Sequence, residues 1–154
     1  MTRHLQTRQN NCLQTCLASI FDVEIEEAPD IWRMPGAPRA KKITSASWGA
    51  LQRWTAKHGK TLLRVDARNR SQVKRLESSG EYYIACGPAG NGGLHAVVMY
   101  GGQFVHDPAG VGPVGPVIDY IALEDRKSLD WGVIILLFVL LALVGGIVEA
   151  ISGL

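Results

Sequence analysis

Residues 94–110 read LHAVVMYGGQFVHDPAG. Leu94 to Tyr100 and Gln103 to His106 are short runs rich in β-branched and aromatic residues, and the glycine pair between them predicts a tight antiparallel hairpin. Working outward, Tyr82 to Cys86, Val117 to Leu123 and Thr61 to Val65 read as further strands bounded by Gly, Pro or polar residues. Upstream the period changes. Cys12 to Phe21, CLQTCLASIF, places Leu13, Cys16, Leu17 and Ile20 at helical spacing, with Asn10 and Asn11 as N-cap candidates. Ser47 to His58 predicts a second helix with Trp48, Leu51 and Trp54 on its apolar face and Gly59 as its stop. Ser71 to Glu77 reads as a short helix with Val73 and Leu76 turned inward. Helices first and an antiparallel sheet afterwards define an α+β domain over residues 1–124.

The chain has 154 residues, enough for one ordinary domain, and is 47% hydrophobic and 19% charged, which argues against disorder. The apolar excess is concentrated. No charge occurs from Trp131 to Val148, and as a helix this run is about 27 Å long, close to the roughly 30 Å hydrocarbon core of a bilayer. The expected organisation is therefore a domain at 1–124, a charged linker at 125–130, a transmembrane helix at 131–148 and a short tail at 149–154. Arg126 and Lys127 precede the run and nothing basic follows it, so the positive-inside rule places the domain in the cytoplasm on a single-pass C-terminal anchor.

Charge is unevenly spread. Twelve of the sixteen basic residues fall between Arg33 and Arg75 with Asp66 as the only acid, whereas Asp22 to Asp30 is wholly acidic. A solvated face with ion-pairing partners accounts for this pattern, and so does a docking surface for an acidic protein or for anionic headgroups. A net charge of +2 with no recognisable reading module gives no support to nucleic-acid binding. Three cysteines behind a polar opening, MTRHLQTRQNN, predict a reduced protein rather than a disulfide framework.

Cys12 stands at a predicted helix start, where unpaired N–H groups and the helix dipole favour a thiolate. Cys16, on the same face, reads as a core thiol with Leu17 and Ile20. His95 opens one hairpin strand, six residues before Gly101, and Asp107 closes the other, five after Gly102, so the register allows them to be neighbours. A cysteine facing a histidine oriented by a carboxylate is a nucleophile, base and orienting acid. Without that company the same residues read as a core thiol, a half-buried strand histidine and a turn-capping aspartate before proline.

The stretch QTRQNNCLQTCLAS, with Gln6 six residues before Cys12 and a second cysteine four after it, resembles the start of the bacteriocin-processing peptidases. LHAVVMYGGQFVHDPAG resembles their second half, a histidine, a hydrophobic strand and then Asp-Pro-Ala with a glycine. These papain-like enzymes remove double-glycine leaders, usually as the N-terminal domain of a transporter. The resemblance implies a papain-like fold with Cys12 as nucleophile, His95 as general base and acid, and Asp107 as the orienting acid. Gln6 would donate its side-chain amide to the oxyanion, with the Cys12 N–H as second donor. Asn11 stands where the family has an acidic residue and Leu13 where it has glycine, which bears on the cleft, and Glu24 to Ser79 carries no alignable motif.

The transporter half is absent from this chain, so a separate transporter or membrane protein is an expected partner alongside a peptide or protein substrate. Two other functions fit the same residues: a membrane-anchored module that binds peptide without cutting it, and a cell-wall peptide amidase. No cofactor or metal is expected. Cys12, Cys16, Cys86, His58, His95 and His106 form no common zinc signature, and Gly87, Gly90, Gly92 and Gly93 lack the phosphate-loop pattern and read as a mobile loop beside His95.

Overall fold

The computed structural model describes residues 1–34, 43–89, 93–112 and 115–126. The predicted transmembrane helix at 131–148, the tail at 149–154, most of the linker, the loop at 35–38 and Gly90 and Gly92 lie outside the described residues. No helix among the described residues is long and apolar enough to cross a membrane.

The domain is α+β. Helix α1 (Cys12–Phe21), a 3-10 turn (Ile25–Glu27) and α2 (Ser45–Lys57) precede β1 (Lys60–Asp66), and α3 (Arg70–Glu77) leads into β2 (Tyr82–Pro88), β3 (Leu94–Tyr100), β4 (Gln103–His106) and β5 (Asp119–Asp125). The strands form one five-stranded sheet in the order β1-β5-β2-β3-β4, every pair antiparallel. Alternation along the strands divides the core in two. Leu62, Ile84, Ala96, Val98, Ile121 and Leu123 face Leu13, Leu17 and Leu51 of α1 and α2, whereas Val65, Tyr83 and Ala122 face Leu76 and Val73 of α3. Each fully buried Leu or Ile contributes about 1.5–3 kcal/mol by leaving water.

Helix α1 is buried almost all round, from Cys12 to Ser19. The apolar spacing predicted one buried stripe, yet Gln14, Thr15 and Ser19 are buried too, because the N-terminal arm and the 22–31 segment cover the helix on its other side. These polar groups are satisfied. Gln14 Nε2 donates to the carbonyls of Ile25 and Ala28, both at 2.8 Å, and Thr15 and Ser19 return their hydroxyls to the carbonyls four residues earlier. At the C-terminal end of α1, Phe21 packs edge-on against Trp54, which stacks with His58, and this aromatic cluster clamps α1 to α2.

Part of the described basic segment is an ion-paired face. Arg64 pairs with Asp119, Arg68 with Asp66, Arg75 with Glu124, and Lys60 with both Glu81 and Asp125. These exposed pairs contribute little to stability, about 0–1 kcal/mol each.

Candidate functional site

The hairpin turns at Gly101 and Gly102, with φ of 54° and 78°, a conformation that glycine adopts without steric cost. Tyr100 pairs with Gln103 and Met99 with Phe104, but Val98 pairs with His106 across a bulge. Continuing that shifted register sets Asp107 opposite Val97, on the same strand face as His95. Without the bulge Asp107 would stand opposite Ala96, whose side chain points the other way. His95 Nε2 lies 2.7 Å from Asp107 Oδ1, and both side chains are almost wholly buried, at 7% and 4% exposure. The carboxylate accepts, so Nε2 carries the proton, and neutral His95 therefore keeps Nδ1 as a base.

Asp107 is held on all sides. Its Oδ1 also accepts from Ala109 N at 2.8 Å, and Oδ2 accepts from Val111 N and Gly112 N, both at 2.7 Å. Burial pushes its carboxyl up, but the Ala109, His95 and Gly112 donors outweigh that and leave it below the ordinary carboxylate range. Turn capping and histidine orientation, alternatives in the sequence, are here performed by one side chain.

Cys12 is the first residue of α1 and is 7% exposed. Its place is set by Ala96. Cys86 gives its carbonyl to Ile118 N at 2.9 Å, so in the Cys86–Ala96 cross-strand pair the polar groups of Ala96 turn to the other edge of β3, beyond the end of β4. There the Ala96 N–H meets the Cys12 sulfur, and Cys16 Sγ donates to the Ala96 carbonyl at 3.4 Å. The start of α1 thus replaces a strand partner for the residue next to His95. Ala96 has to be small for this approach. Ala96→Leu is expected to cost about 1–3 kcal/mol by overpacking and to slow alkylation of Cys12, measured by thermal unfolding and by mass spectrometry of the labelled thiol.

Burial raises the Cys12 thiol above its ordinary value, against the backbone N–H groups of Ala96, Leu13 and Cys12 itself, and the Asp107 charge adds to the rise. The lowered pKa expected at a helix start is therefore reversed: desolvation in the packed interior exceeds the stabilisation from the helix terminus. Cys16 is raised much further by its complete burial. Asn11 occupies the N-cap position but makes no capping bond, its side chain reaching instead to Thr7 Oγ1 at 3.3 Å.

Gln6 is half-buried and lies between the two segments that carry the other residues. Its N–H donates to the carbonyl of Pro108, next to Asp107, at 2.8 Å, and the following residue, Thr7, is bonded to Asn11, next to Cys12. Its side-chain amide has no hydrogen bond among the described residues.

Cys12 and His95 share a cavity of about 200 Å³, walled by Leu13, Trp32, Trp48 and Ile121. Arg64 and Asp119 lie at its polar side, and Leu94 and Ile118 at its exposed edge. A larger groove of about 500 Å³ between β1, β5 and α3 contains no cysteine or histidine. The sequence did not mark Ala96, whose contribution is made by its backbone, or Trp32, and it assigned Trp48 to core packing alone. The expected loop from Gly87 onward begins later, because Gly87 and Pro88 extend β2 and pair with His95 and Leu94.

The residues weighed as metal ligands are dispersed: His58 stacks at the far end of α1, and His106 bonds the His4 carbonyl. No group of three or more His, Cys, Asp or Glu suited to a metal ion occurs among the described residues. Compared with protein-family models, with curated proteins and with solved structures, the chain matches none.

Proposed function

We propose that the protein is a cysteine peptidase of papain-like fold, hydrolysing a peptide or isopeptide bond with Cys12, His95, Asp107 and Gln6. The observation that carries this reading is the buried His95–Asp107 pair opening onto the same apolar cavity as a thiol at a helix start. His95 Nδ1 takes the thiol proton as Cys12 Sγ attacks the scissile carbonyl. The oxyanion receives hydrogen bonds from the Cys12 N–H and the Gln6 amide. His95 then gives its proton to the leaving amine, and a thioester remains on Cys12. Water attacks the thioester with His95 again as base, releasing the acid and restoring the thiol. Because burial holds the resting thiol protonated, His95 acts as a base during attack.

The proposed setting is the cytoplasmic face of a membrane, with residues 131–148 as anchor and a transporter or other membrane protein as partner. β5 runs from Asp119 in the cavity to Asp125, about 20 Å at about 3.4 Å per residue. The described part of the chain therefore leaves the sheet at the end opposite the site.

The test uses the full chain with a panel of double-glycine and isopeptide-linked peptides. New termini are expected by mass spectrometry and are expected to vanish in Cys12→Ala. Peptide bound equally by wild type and Cys12→Ala, with no new termini, would instead identify a binding module.

A further inference from the structure

His106 is buried, at 7% exposure, and stands immediately before Asp107, yet the proposed reaction gives it no part. Its Nε2 lies 2.6 Å from the carbonyl of His4, an atom that only accepts, so Nε2 carries the proton and donates. Two residues further along the arm, Gln6 N donates to Pro108 O at 2.8 Å. One bond on each side of Asp107 thus fixes the arm to the strand end that orients His95. The arm is also tied to α1, by His4 N donating to Ser19 Oγ at 3.2 Å and by the Thr7–Asn11 bond. Gln6 therefore has a backbone held at several points and a side-chain amide with no competing partner among the described residues. The backbone that carries this amide is thus fixed before any charge develops, which is the condition under which an oxyanion donor is effective.

We propose that His106 is a positioning residue that acts through His4 to hold the Gln6 amide at the oxyanion of the acyl-transfer step. The proposal rests on the peptidase reading above. The His106 side chain bonds to His4 and makes no hydrogen bond to the nucleophile or its base among the described residues. Its loss should weaken only those reactions of Cys12 in which an oxyanion forms.

Two reactions of the same thiol separate these roles. Alkylation by iodoacetamide displaces iodide at a saturated carbon and forms no oxyanion, whereas acylation by p-nitrophenyl acetate passes through one. The full-length protein would be compared with His106→Gln, which keeps a donor at similar reach, and with His106→Met, which has similar length and no donor. The p-nitrophenolate burst is expected to slow at least about tenfold in His106→Met, within the roughly 10²–10³-fold loss of a whole oxyanion donor. Alkylation of Cys12 is expected to stay within about twofold, His106→Gln to recover most of the burst rate, and Gln6→Ala to remove any further effect of His106→Met. An unchanged burst in His106→Met overturns the positioning role alone, as does a loss of both reactions together. No burst in the wild type at Cys12 overturns the peptidase reading and this proposal with it.

Discussion

His95→Ala is expected to slow acyl transfer by about 10²–10⁴-fold, the range that a positioned general base supplies. Burial raises the Cys12 thiol, so at neutral pH almost none of it is thiolate unless a neighbouring group takes the proton. His95 is the histidine that lines the cavity with Cys12, and its Nε2 is occupied by Asp107, leaving Nδ1 for the transfer. The variant should fold, since the core beneath it is built by Ala96, Val98 and α1. The measurement is the burst rate with an activated ester, alongside thermal unfolding.

The second large effect is at Asp107, where asparagine is not a conservative change. Both oxygens accept two N–H bonds each, Oδ1 from His95 and Ala109, Oδ2 from Val111 and Gly112. Whichever oxygen becomes NH₂, a donor then faces two donors. Leaving buried donors unpaired in this way costs about 1–3 kcal/mol, and losing the imidazole's orientation and tautomer costs about 10⁴-fold in turnover where it has been measured in a triad.

The acid limb of stability carries the same signature. The folded carboxyl lies below its ordinary 3.8, so the unfolded chain binds more protons between the two values. Its contribution is complete above the unfolded value and is lost as pH falls through the folded one. Asp107→Asn should remove that part of the acid sensitivity, seen as a flatter denaturation midpoint against pH below about 4.

These two residues were legible in the chain because they bracket a Gly-Gly turn, and counting from that turn brings them to one end of a sheet. Helix α1 was legible to its ends from the helical period of Cys12 to Phe21, and the structure closes it with Asp22 in the left-handed conformation, at φ of 59°. The bulge was not legible: an extra residue in β4 leaves no side-chain mark, yet it turns Asp107 to the face of His95. The contact between Ala96 and two cysteines was equally hidden, because it is made by a backbone N–H and carbonyl. The arm reads as a polar leader, and its order comes from tertiary bonds to Ser19, His106 and Pro108. The reversed Cys12 pKa has the same origin, since a helix start is visible in sequence and the desolvation around it is not.

The most direct measurement is the pH dependence of Cys12 alkylation by iodoacetamide in the full chain, wild type against His95→Ala, with the modified cysteine located by mass spectrometry. Cys12 should be modified ahead of Cys16 and Cys86, and His95→Ala should lower its rate at neutral pH and move the rise to higher pH, because a thiol that burial raises above its ordinary 9.0 then has no neighbouring base to take its proton. Superimposable profiles, or labelling of Cys16 or Cys86 before Cys12, would contradict a Cys12–His95 nucleophile.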